Sequence, residues 1–544
     1  MSRVREGRHI IKRIIVRGVL VLDTPTCLGN GDAEGPTDLM LLHDSISPKA
    51  ILTGSSIAGA LRNYLHEYER DYGKSERRQD IAAKLFGDLF AYEDEKHLPE
   101  QQKLKTKEQD TQSPLIIDDA LSSDIPIVEL RDGVKIDSAT GTAADKAKYD
   151  LELLLAGTQF SLSFELLIDK ENDENQLKEA LALALEGLKS SEISIGMKKR
   201  RGFGRCHVDE WQVWEFDLRQ HSDRLAWLAF DRPWSEPYAK QPNISESITE
   251  ALGITIRQQD KRDRFSIQAT FKLASPLLIR SGQDSTGCAP DVVHLKSERL
   301  VDKQKYFLAT NIRKGLFDYA IQLLALLPKE ESLWTSENTE FFLLAYKLLK
   351  PSKTKVPVLS GTSLAGVLRH RAERIVNTLG KRQAIVNELF GFVEEDSKQA
   401  KASRLVVHES VIKNTADLVQ NRIAIDRFTG GAYHGALFSE QPIFGSDETH
   451  LTLELELRQP KNAEIGLLLL LLKDLWTSDL PVGGESSIGR GRLQGLEATM
   501  IRQIPGKATQ TWTISQDGEC LQVSEANADA LGAFVSNFSG EVAA

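Results

Sequence analysis

The sequence contains only four cysteines in 544 residues. They are far apart, and none belongs to a Cys-x-x-Cys pair of the kind found in zinc sites and redox motifs. We therefore expect all four to be reduced and structural. They are Cys27, Cys206, Cys288 and Cys520.

Long hydrophobic runs are also missing. The longest, Ile465–Leu472, falls far short of the roughly 20 residues that a membrane span requires. The amino-terminal segment is basic and strand-like, and it lacks the apolar stretch and cleavage site of a signal peptide. These absences predict a cytoplasmic protein without a transmembrane segment.

An excess of positive charge is also missing, since 68 Lys and Arg stand against 78 Asp and Glu and the formal net charge is −10. Phosphate binding requires positive potential at the contact surface, so nucleic acid has to be held by a local basic patch. The densest patch lies between residues 198 and 205. It consists of Lys198, Lys199, Arg200, Arg201 and Arg205.

An internal repeat organises the chain. Four sequence blocks recur in the same order, which indicates a tandem duplication. The first block is Leu52-Thr-Gly-Ser-Ser-Ile-Ala-Gly-Ala-Leu-Arg62, repeated as Leu359-Ser-Gly-Thr-Ser-Leu-Ala-Gly-Val-Leu-Arg369. The others are Leu85-Phe-Gly87 with Leu389-Phe-Gly391, Ile136-Asp137 with Ile425-Asp426, and Gly202-Phe-Gly-Arg205 with Gly489-Arg-Gly-Arg492.

The repeat and the chain length predict two large domains. We assign the first domain to residues 1–215, a linker to 216–262, the second domain to 263–500 and a C-terminal extension to 501–544. Relative to the first copy, the second carries an insertion at about 296–352. Its apolar stretches predict added helices.

Hydrophobic periodicity predicts the same order of elements in both copies, and this order is typical of an α+β fold. Each copy opens with a strand and later has alternating apolar residues that indicate a half-buried strand. The predicted strands include 10–22, 160–166, 265–273 and 451–457. The predicted helices include 57–70, 175–189, 364–377 and 463–476.

The repeated Gly-Ser/Thr-Ser block marks the start of a helix. A helix start with small residues can bind phosphate through backbone N–H groups and the helix dipole. The same block is equally typical of a structural helix capped by one of its own hydroxyls. Both interpretations remain open, and a duplicated arginine about two turns later favours phosphate contact. The residues are Ser55, Ser56 and Arg62, and Thr362, Ser363 and Arg369.

The glycine-rich loops, 198–205 and 486–492, combine backbone freedom with positive charge and so suit phosphate binding. Neither has the Gly-Lys-Ser/Thr ending of a P-loop or the strand-loop-helix order of a dinucleotide fold, so nucleotide hydrolysis is not indicated. The loops predict a site for single-stranded polynucleotide. In the second loop the basic residues are Arg490 and Arg492.

These motifs resemble the repeat-associated mysterious protein (RAMP) superfamily, whose hallmarks are this helix start and a glycine-rich loop near the end of the domain. The sequence is most similar to backbone subunits of type III CRISPR effectors, in the fused double-copy form of type III-D systems. The resemblance implies two tandem modified ferredoxin-like (RRM-like) domains, each with a thumb-like hairpin that kinks a guide–target duplex at six-nucleotide intervals. It also implies three partners: a crRNA guide, complementary target RNA and other effector subunits.

The resemblance further implies a catalytic aspartate in the loop after the first strand of each copy. Asp38 and Asp291 both follow a glycine by nine positions (Gly29 and Gly282) and precede an apolar pair. Such a carboxylate would hold Mg²⁺ or another divalent cation, or would orient the 2′-hydroxyl that attacks the adjacent phosphate. Asp32, Asp44 and Asp284 are possible helpers, whereas His43 and His294 do not match in position.

Two further aspartates, Asp137 and Asp426, are rival candidates near the expected thumbs. A following Thr-Gly is typical of an aspartate that caps a turn, and we favour that interpretation. Side chains suited to contact splayed nucleotides follow in the second copy, and fewer follow in the first. They are Arg427, Tyr433 and His434, against Lys146, Lys148 and Tyr149.

Two alternatives to a target-cleaving subunit remain. The chain could be a purely architectural RNA-binding subunit with one or both sites inert. It could also be a guide-processing ribonuclease, but such enzymes of the same superfamily rely on a histidine, and no suitable histidine is duplicated.

Overall fold

Two antiparallel sheets, one from each copy, form the centre of the computed structural model. The structure describes residues 8–29, 31, 40–89, 91–107, 110–137, 140–232, 238–281, 290–301, 352–394, 399–518, 520–523 and 528–540.

The first copy runs from an opening strand to a closing strand that ends at residue 217. Its elements are β1 (Ile10–Leu22), β2 (Ile51–Leu52), α1 (Gly54–Arg70), α2 (Ile81–Phe86), α3 (Glu100–Lys107), β3 (Leu115–Ile117), β4 (Ala120–Leu121), β5 (Val128–Ile136), β6 (Ala143–Leu154), β7 (Gln159–Asp169), α4 (Glu174–Lys189) and β8 (Cys206–Asp217). The following segment adds α5 (His221–Ala229), β9 (Asn243–Ser245) and α6 (Ile248–Ala251). The central sheet has the order β3-β7-β1-β8-β9.

The second copy repeats this plan and extends it. Its elements are β10 (Arg264–Leu273), β11 (Val292–Val293), β12 (Lys296–Val301), β13 (Ser352–Leu359), α7 (Gly361–Thr378), α8 (Ala384–Phe390), β14 (Phe392–Glu394), β15 (Gln399–Lys401), β16 (Leu405–Val407), β17 (Ser410–Lys413), β18 (Ala416–Asp417), β19 (Gln420–Ile425), β20 (Ala432–Gln441), β21 (Ile443–Phe444), β22 (His450–Arg458), α9 (Asn462–Trp476) and β23 (Leu493–Gln503). The tail forms β24 (Gln510–Asp517), β25 (Cys520–Val523) and α10 (Ala528–Gly540). The main sheet has the order β12-β13-β17-β22-β10-β23-β24-β25, and β16 also pairs with β22.

Each central sheet buries one face under two helices, α1 with α4 and α7 with α9. The alternating apolar residues of β7 and β22 point into the two cores, as their period of two predicts. The opening strand of each copy pairs antiparallel on both sides, β1 with β7 and β8, and β10 with β22 and β23. These features confirm the α+β class and are consistent with a ferredoxin-like core. Cys27 and Cys206 are buried and free, as expected of structural cysteines.

A hairpin projects from each copy where the thumbs are expected. In the first copy β5 pairs antiparallel with β6. In the second, β19 pairs antiparallel with β20, and β11 joins β20 in parallel. We call the β5–β6 hairpin the first thumb and the β19–β20 hairpin the second thumb.

The segments at the two ends of the expected insertion form β-strands. β12 and β13 pair antiparallel from Lys296↔Pro357 to Val301↔Ser352. Residues 302–351, where the sequence predicts helices, lie outside the described residues.

The C-terminal tail completes the second core. β23 continues to Gln503, past the expected start of the extension, and β24 and β25 widen the same sheet. Trp512 and Phe538 are both fully buried in this core, and α10 packs against α9. No helix within the described ranges is long and apolar enough to cross a membrane.

A buried ion-pair cluster joins the first thumb to the second copy. The carboxylate of Glu409 accepts hydrogen bonds from Arg131 of β5 and Arg299 of β12. Arg131 Nε also donates to Glu129 Oε1 at 2.9 Å. Burial acts to raise the pKa of Glu409, but the two arginines outweigh it and hold that pKa below its usual range. Removing one partner would leave a buried charge unpaired at a cost of several kcal/mol, so this cluster fixes the first thumb in place.

A second junction lies near the end of the linker. Arg262 Nη2 donates to Glu192 Oε2 at 2.8 Å, and its guanidinium lies 5.0 Å from the ring centroid of Tyr64. Between the copies, Gln459 Nε2 donates to Asp71 Oδ2 at 2.8 Å. The two junctions together hold the copies in one relative orientation.

Candidate nucleic-acid interface

The glycine-rich loop of the first copy lies against the helix start of the second copy. Lys199–Arg201 forms a single 3-10 turn, which begins after Lys198 (φ 54°) and ends at Gly202 (φ 85°). Gly361, the first residue of α7, is so close that an added Cβ would lie 2.4 Å from the carbonyl oxygen of Arg201. The two features that the sequence presents as separate phosphate sites thus form one composite site, with one part from each copy.

Neutral groups hold the arginines of this loop. Arg200 Nη1 donates to the carbonyl oxygen of Ser403, and Arg201 Nη2 donates to that of Phe390 at 3.5 Å. In the described part of the chain, neither arginine has a carboxylate within 4 Å, and the same holds for Lys199. Within the described residues, these three side chains therefore form no direct ion pair.

The electrostatics of the loop favour an anion. Burial lowers the pKa values of Lys199, Arg200 and Arg201. Glu67 opposes this for Lys199 and Arg200, Arg458 lowers the pKa values of both further, and Arg369 lowers that of Arg201. Partly desolvated like charges repel one another, and a phosphate placed among them would remove that repulsion. The composite site is suited to a phosphate group.

A groove of about 2010 Å³ runs between the copies at this site. The first loop, the first thumb and α7 all contribute to its walls. The sequence analysis did not single out several of its basic residues. For His370 and Arg374 a signal existed, because a spacing of four places both on one face of α7. The additional basic residues include Lys135, Arg280, His370, Arg371, Arg374, Lys401 and Arg458.

The helix starts are capped by residues that the sequence analysis did not choose. The hydroxyls of Thr53 and Ser360 accept the backbone N–H of Ser56 (3.3 Å) and Ser363 (3.2 Å). The expectation that Ser55, Ser56, Thr362 or Ser363 is the N-cap is therefore wrong, because the preceding glycine is already helical. Thr362 and Ser363 line the groove.

The first helix start carries a carboxylate of its own. The backbone N–H of Gly54 donates to Asp119 Oδ1 at 2.6 Å, which is the place a phosphate would take. The hydroxyls of Ser55 and Ser56 form hydrogen bonds with Thr53 Oγ1 at 3.0 and 2.9 Å. Of the two helix starts, the second faces a basic loop, and the described residues place none against the first.

Three of the expected RNA-binding arginines form ion pairs within the protein. Arg205 and Arg369 nevertheless line the groove, although all three guanidinium nitrogens of Arg369 donate to groups of the protein. Arg492 is exposed and donates from Nη1 to the carbonyl oxygen of Ser478 at 3.0 Å. The ion pairs are Arg62 with Glu76 (2.6 Å), Arg205 with Glu454 (2.7 Å) and Arg369 with Glu373 (3.1 Å).

Arg490 occupies a different place from the one expected. Its side chain is 5% exposed and forms ion pairs with Glu440 (3.0 Å) and Glu485 (2.5 Å). The corresponding residue of the first copy is Phe203, which is buried beneath Arg131. Arg490 is therefore an internal residue in this structure, and the expectation that it contacts RNA is not supported by its position.

Gly361→Ala is expected to lower the free energy of unfolding by about 1–3 kcal/mol, because the new methyl group would overlap two carbonyl oxygens at 2.4 Å. Gly366→Ala in the same helix is the matched control. Nothing lies within 4 Å of a Cβ there, so helix propensity predicts a gain of up to about 1 kcal/mol. Denaturant unfolding of both variants measures the difference, and equal effects would contradict the close contact.

The two candidate catalytic aspartates correspond in position. Each copy has a β-bridge at the corresponding point of the chain. In sequence, Asp38 lies three residues before the second residue of the first bridge, and Asp291 lies three residues before the second residue of the other. The glycine match is wrong, because Gly29 corresponds to Arg280 and not to Gly282. The bridges are Gly29↔Leu41 and Arg280↔His294.

Asp291 is exposed and bound to the second thumb. Its Oδ2 accepts the backbone N–H of Ser439 at 2.7 Å. Asp44 caps its own turn, accepting from Ser47 N at 2.9 Å and Oγ at 2.8 Å. Asp38, Asp32 and Asp284 lie outside the described residues.

His294 is a structural residue. Its Nδ1 accepts the N–H of Ile279 at 3.1 Å, and its Nε2 donates to the carbonyl oxygen of Val358 at 3.2 Å. Burial lowers the pKa of His294 to about 4. The ring is therefore neutral near pH 7, with its proton on Nε2.

Acidification is expected to destabilise the second copy through His294. Its pKa is about 4 when folded and about 6.5 when unfolded, so below pH 6.5 the unfolded chain binds a proton that the folded chain does not. Stability therefore falls from about pH 6.5 down to about pH 4, by about 2 kcal/mol between pH 7 and pH 5. His294→Leu introduces the residue that the first copy has at this point, Leu41. Denaturant unfolding at both pH values should show a smaller pH dependence in the variant, and an equal one would contradict this account.

Asp137 and Asp426 cap the turns at the thumb tips. Asp137 Oδ1 accepts the N–H of Thr140 at 2.8 Å, and Asp426 Oδ1 accepts that of Thr429 at 2.9 Å. Backbone hydrogen bonds from Thr429 and Phe428 lower the pKa of Asp426. The turn interpretation is confirmed for both.

The thumbs present different side chains. On the second, Arg427, Tyr433 and His434 are exposed. On the first, Lys148 pairs with Asp132 at 2.9 Å, and Lys198 Nζ lies 3.7 Å from the ring centroid of Tyr149. The side chain of Lys146 lies outside the described residues.

The donor atoms for a divalent cation are few. Among the described residues, no group of three or more His, Cys, Asp or Glu side chains is arranged to hold a metal ion. Mg²⁺ is commonly held by one or two carboxylates together with phosphate oxygens of the substrate. The carboxylate of Asp291 fits such a shared site, in which RNA would supply the other ligands.

Comparison with known proteins agrees with the repeat. The family profile described as the RAMP superfamily matches residues 19–207 and 270–494, so it covers each copy separately. The chain is also similar to the CRISPR system Cms endoribonuclease Csm3 of Methanocaldococcus jannaschii. The two are 25% identical over 232 residues, which is 39% of this chain and 89% of that protein.

Proposed function

This chain belongs to the RAMP superfamily in both of its copies, and we propose that it is a guide-RNA-binding backbone subunit of a type III CRISPR effector. In this role it binds a crRNA guide together with other effector subunits and cleaves complementary target RNA at two sites. The similarity to a protein named as a CRISPR endoribonuclease supports this assignment.

The observation that carries the proposal is the composite site between the copies. Lys199, Arg200 and Arg201 stand beside the N-terminus of α7 without carboxylate partners among the described residues. The groove, at about 2010 Å³, exceeds the roughly 300–1,000 Å³ of sites for small molecules. A polynucleotide fits both its size and its charge. Tyr149 lines the same groove, where the ammonium group of Lys198 lies 3.7 Å from its ring centroid.

The proposed cleavage uses the RNA's own nucleophile. The 2′-oxygen bonds to the adjacent phosphorus as it loses its proton, and the bond from phosphorus to the 5′-oxygen breaks. The products are a 2′,3′-cyclic phosphate and a 5′-hydroxyl, whose oxygen takes up a proton. Asp38 and Asp291 would each orient or deprotonate the 2′-hydroxyl at one site.

A divalent cation, Mg²⁺ or a similar ion, would assist by neutralising charge that develops on the phosphate. Asp38 and Asp291 would hold it together with RNA oxygens. On the protein side, the described structure shows how Asp291 is held, since the backbone N–H and the hydroxyl of Ser439 both lie within reach of Oδ2.

A second candidate function is a purely architectural RNA-binding subunit. It is favoured by the same hydrogen bonds, because a carboxylate that accepts from Ser439 also serves as a structural cap. In that case the groove would bind the guide and cleavage would take place elsewhere in the assembly.

The direct test is an assay of the assembled complex with labelled complementary RNA and Mg²⁺. The proposed function predicts two cuts in complementary RNA, separated by about the number of nucleotides that lie between the two thumbs along the guide. It predicts no cut in RNA that does not match the guide. Addition of a chelator should stop both cuts. Tight binding of the complementary RNA without any product would instead support the architectural function.

A further inference from the structure

Asp291 and Ser439 form a closed pair of residues. The backbone N–H of Asp291 donates to Ser439 Oγ at 3.1 Å, and the backbone N–H of Ser439 donates to Asp291 Oδ2 at 2.7 Å. The hydroxyl of Ser439 also donates to Oδ2, at 3.2 Å. Oδ1 takes no part in these bonds. The carboxylate is therefore held through one oxygen, and the other keeps a defined direction.

Ser439 is well placed to hold this carboxylate because its strand is anchored next to it. The following residue, Glu440, is completely buried and pairs with Arg422 (2.9 Å) and with Arg490 of the glycine-rich loop (3.0 Å). The residues after Asp291 pair in parallel with the same strand, Val292 with Glu440. The ion pairs thus fix the backbone of β20 immediately beside Ser439.

We propose that Ser439 is a positioning residue for Asp291, and that Arg490 supports it through Glu440. The second thumb then carries the carboxylate of its own cleavage site, so any movement of the thumb on RNA moves Asp291 with it. This inference rests on the proposed function, in which Asp291 serves target cleavage. It gives Arg490 a role other than RNA contact.

The first copy provides an internal reference, because it has a different residue at this position. In the second thumb Ser439 pairs with Asn421 on the opposite strand. At the corresponding register of the first thumb Asp150 pairs with Asp132, so Asp150 takes the place of Ser439. An ionised carboxylate cannot donate a hydrogen bond as the serine does. Changes at Ser439 should therefore alter only the product of the second copy.

The experiment compares Ser439→Ala, Ser439→Thr and Asp291→Ala in the assembled complex. Loss of the hydroxyl removes two hydrogen bonds to Asp291 and is expected to slow the second-copy cut about tenfold or more. The maximal rate should fall while the affinity for target RNA is unchanged. Threonine keeps the hydroxyl and should restore the rate. Asn421→Ala, on the opposite strand, is the matched control and should leave both cuts unchanged.

The outcomes separate this inference from the proposed function. If Asp291→Ala removes the second cut but Ser439→Ala leaves its rate unchanged, the positioning role is overturned and the cleavage function stands. If Ser439→Ala slows both cuts equally, the effect is on folding or RNA binding, which also overturns the positioning role. If Asp291→Ala leaves the second cut intact, the proposed function fails and this inference fails with it.

Discussion

Alanine in place of Asp38 or Asp291 is expected to remove one of the two target-RNA products, and the double variant is expected to remove both. Each carboxylate is proposed to act at its own thumb, so the two cuts should be independent. Loss of a positioned acid–base group slows such a reaction by about a hundred- to ten-thousandfold. The measurement is the rate of each product with the complex in excess over labelled target RNA.

The matched control for this prediction is Asp44→Ala. Asp44 follows the loop of the first copy but caps its own turn through Ser47, so its loss should leave both cuts intact. Target affinity is measured for every variant to show that assembly survives. Persistence of both products in the double variant would show that the chain is architectural.

Removal of the three loop cations, as Lys199→Ala, Arg200→Ala and Arg201→Ala together, is expected to weaken guide-RNA binding by about a hundredfold or more near physiological salt. Each charge-assisted hydrogen bond to a phosphate contributes about 1.5–3 kcal/mol. Each lost phosphate contact also lowers the steepness of the salt dependence, by about 0.7 in log K against log salt for a single strand. Affinity measured over a range of salt concentrations therefore gives both effects, with a slope change of about 2.

Two controls separate RNA contact from loss of structure. Arg219, Arg224 and Lys240, within the linker, give a triple alanine variant with the same change in charge away from the groove. The single variant Lys199→Ala spares the bonds that Arg200 and Arg201 make to the second copy. If the linker variant weakens binding as much as the loop variant does, the groove does not hold the guide.

The main elements of the fold could be predicted because each has one buried face. The period of two in β7 and β22 indicated their strands directly, and β1 has the predicted bounds, Ile10–Leu22. The helix α1 begins at Gly54 and not at Ile57, because Thr53 supplies the capping hydroxyl. Hydrophobic periodicity begins only at the first buried residue and does not detect such a cap. The pairing of β12 with β13 joins segments about 50 residues apart, and local pattern does not reveal it.

The candidate site was predicted in its parts but not in its assembly. Aligning the two copies shows which residues correspond. It does not show that the loop of the first copy contacts the helix start of the second, and this contact forms the composite site. The alignment of the copies also predicted more similarity in charge between the two glycine-rich loops than they have. At the positions of Lys198–Arg201 the second loop has Glu485, Ser486, Ser487 and Ile488, which carry no positive charge.

Arg490 shows why charge in a glycine-rich loop is an incomplete guide. Its guanidinium is directed inward because Glu440 and Glu485, which lie 50 and 5 residues away in sequence, provide carboxylates inside the fold. Arg200, three residues before Phe203, donates to the carbonyl oxygen of Ser403, and no carboxylate of the described residues forms an ion pair with it. The partners of an arginine decide whether it is free for RNA, and those partners come from tertiary structure.

The most direct test of the composite site is photo-crosslinking to the guide RNA. A photoreactive amino acid is placed at Thr362, at the start of α7, and in a separate protein at Lys198, beside the loop. Because the loop and the helix start meet across the two copies, the account predicts that both crosslink to the same guide nucleotide or to its immediate neighbours. Crosslinks to nucleotides several positions apart, or none from Thr362, would contradict it.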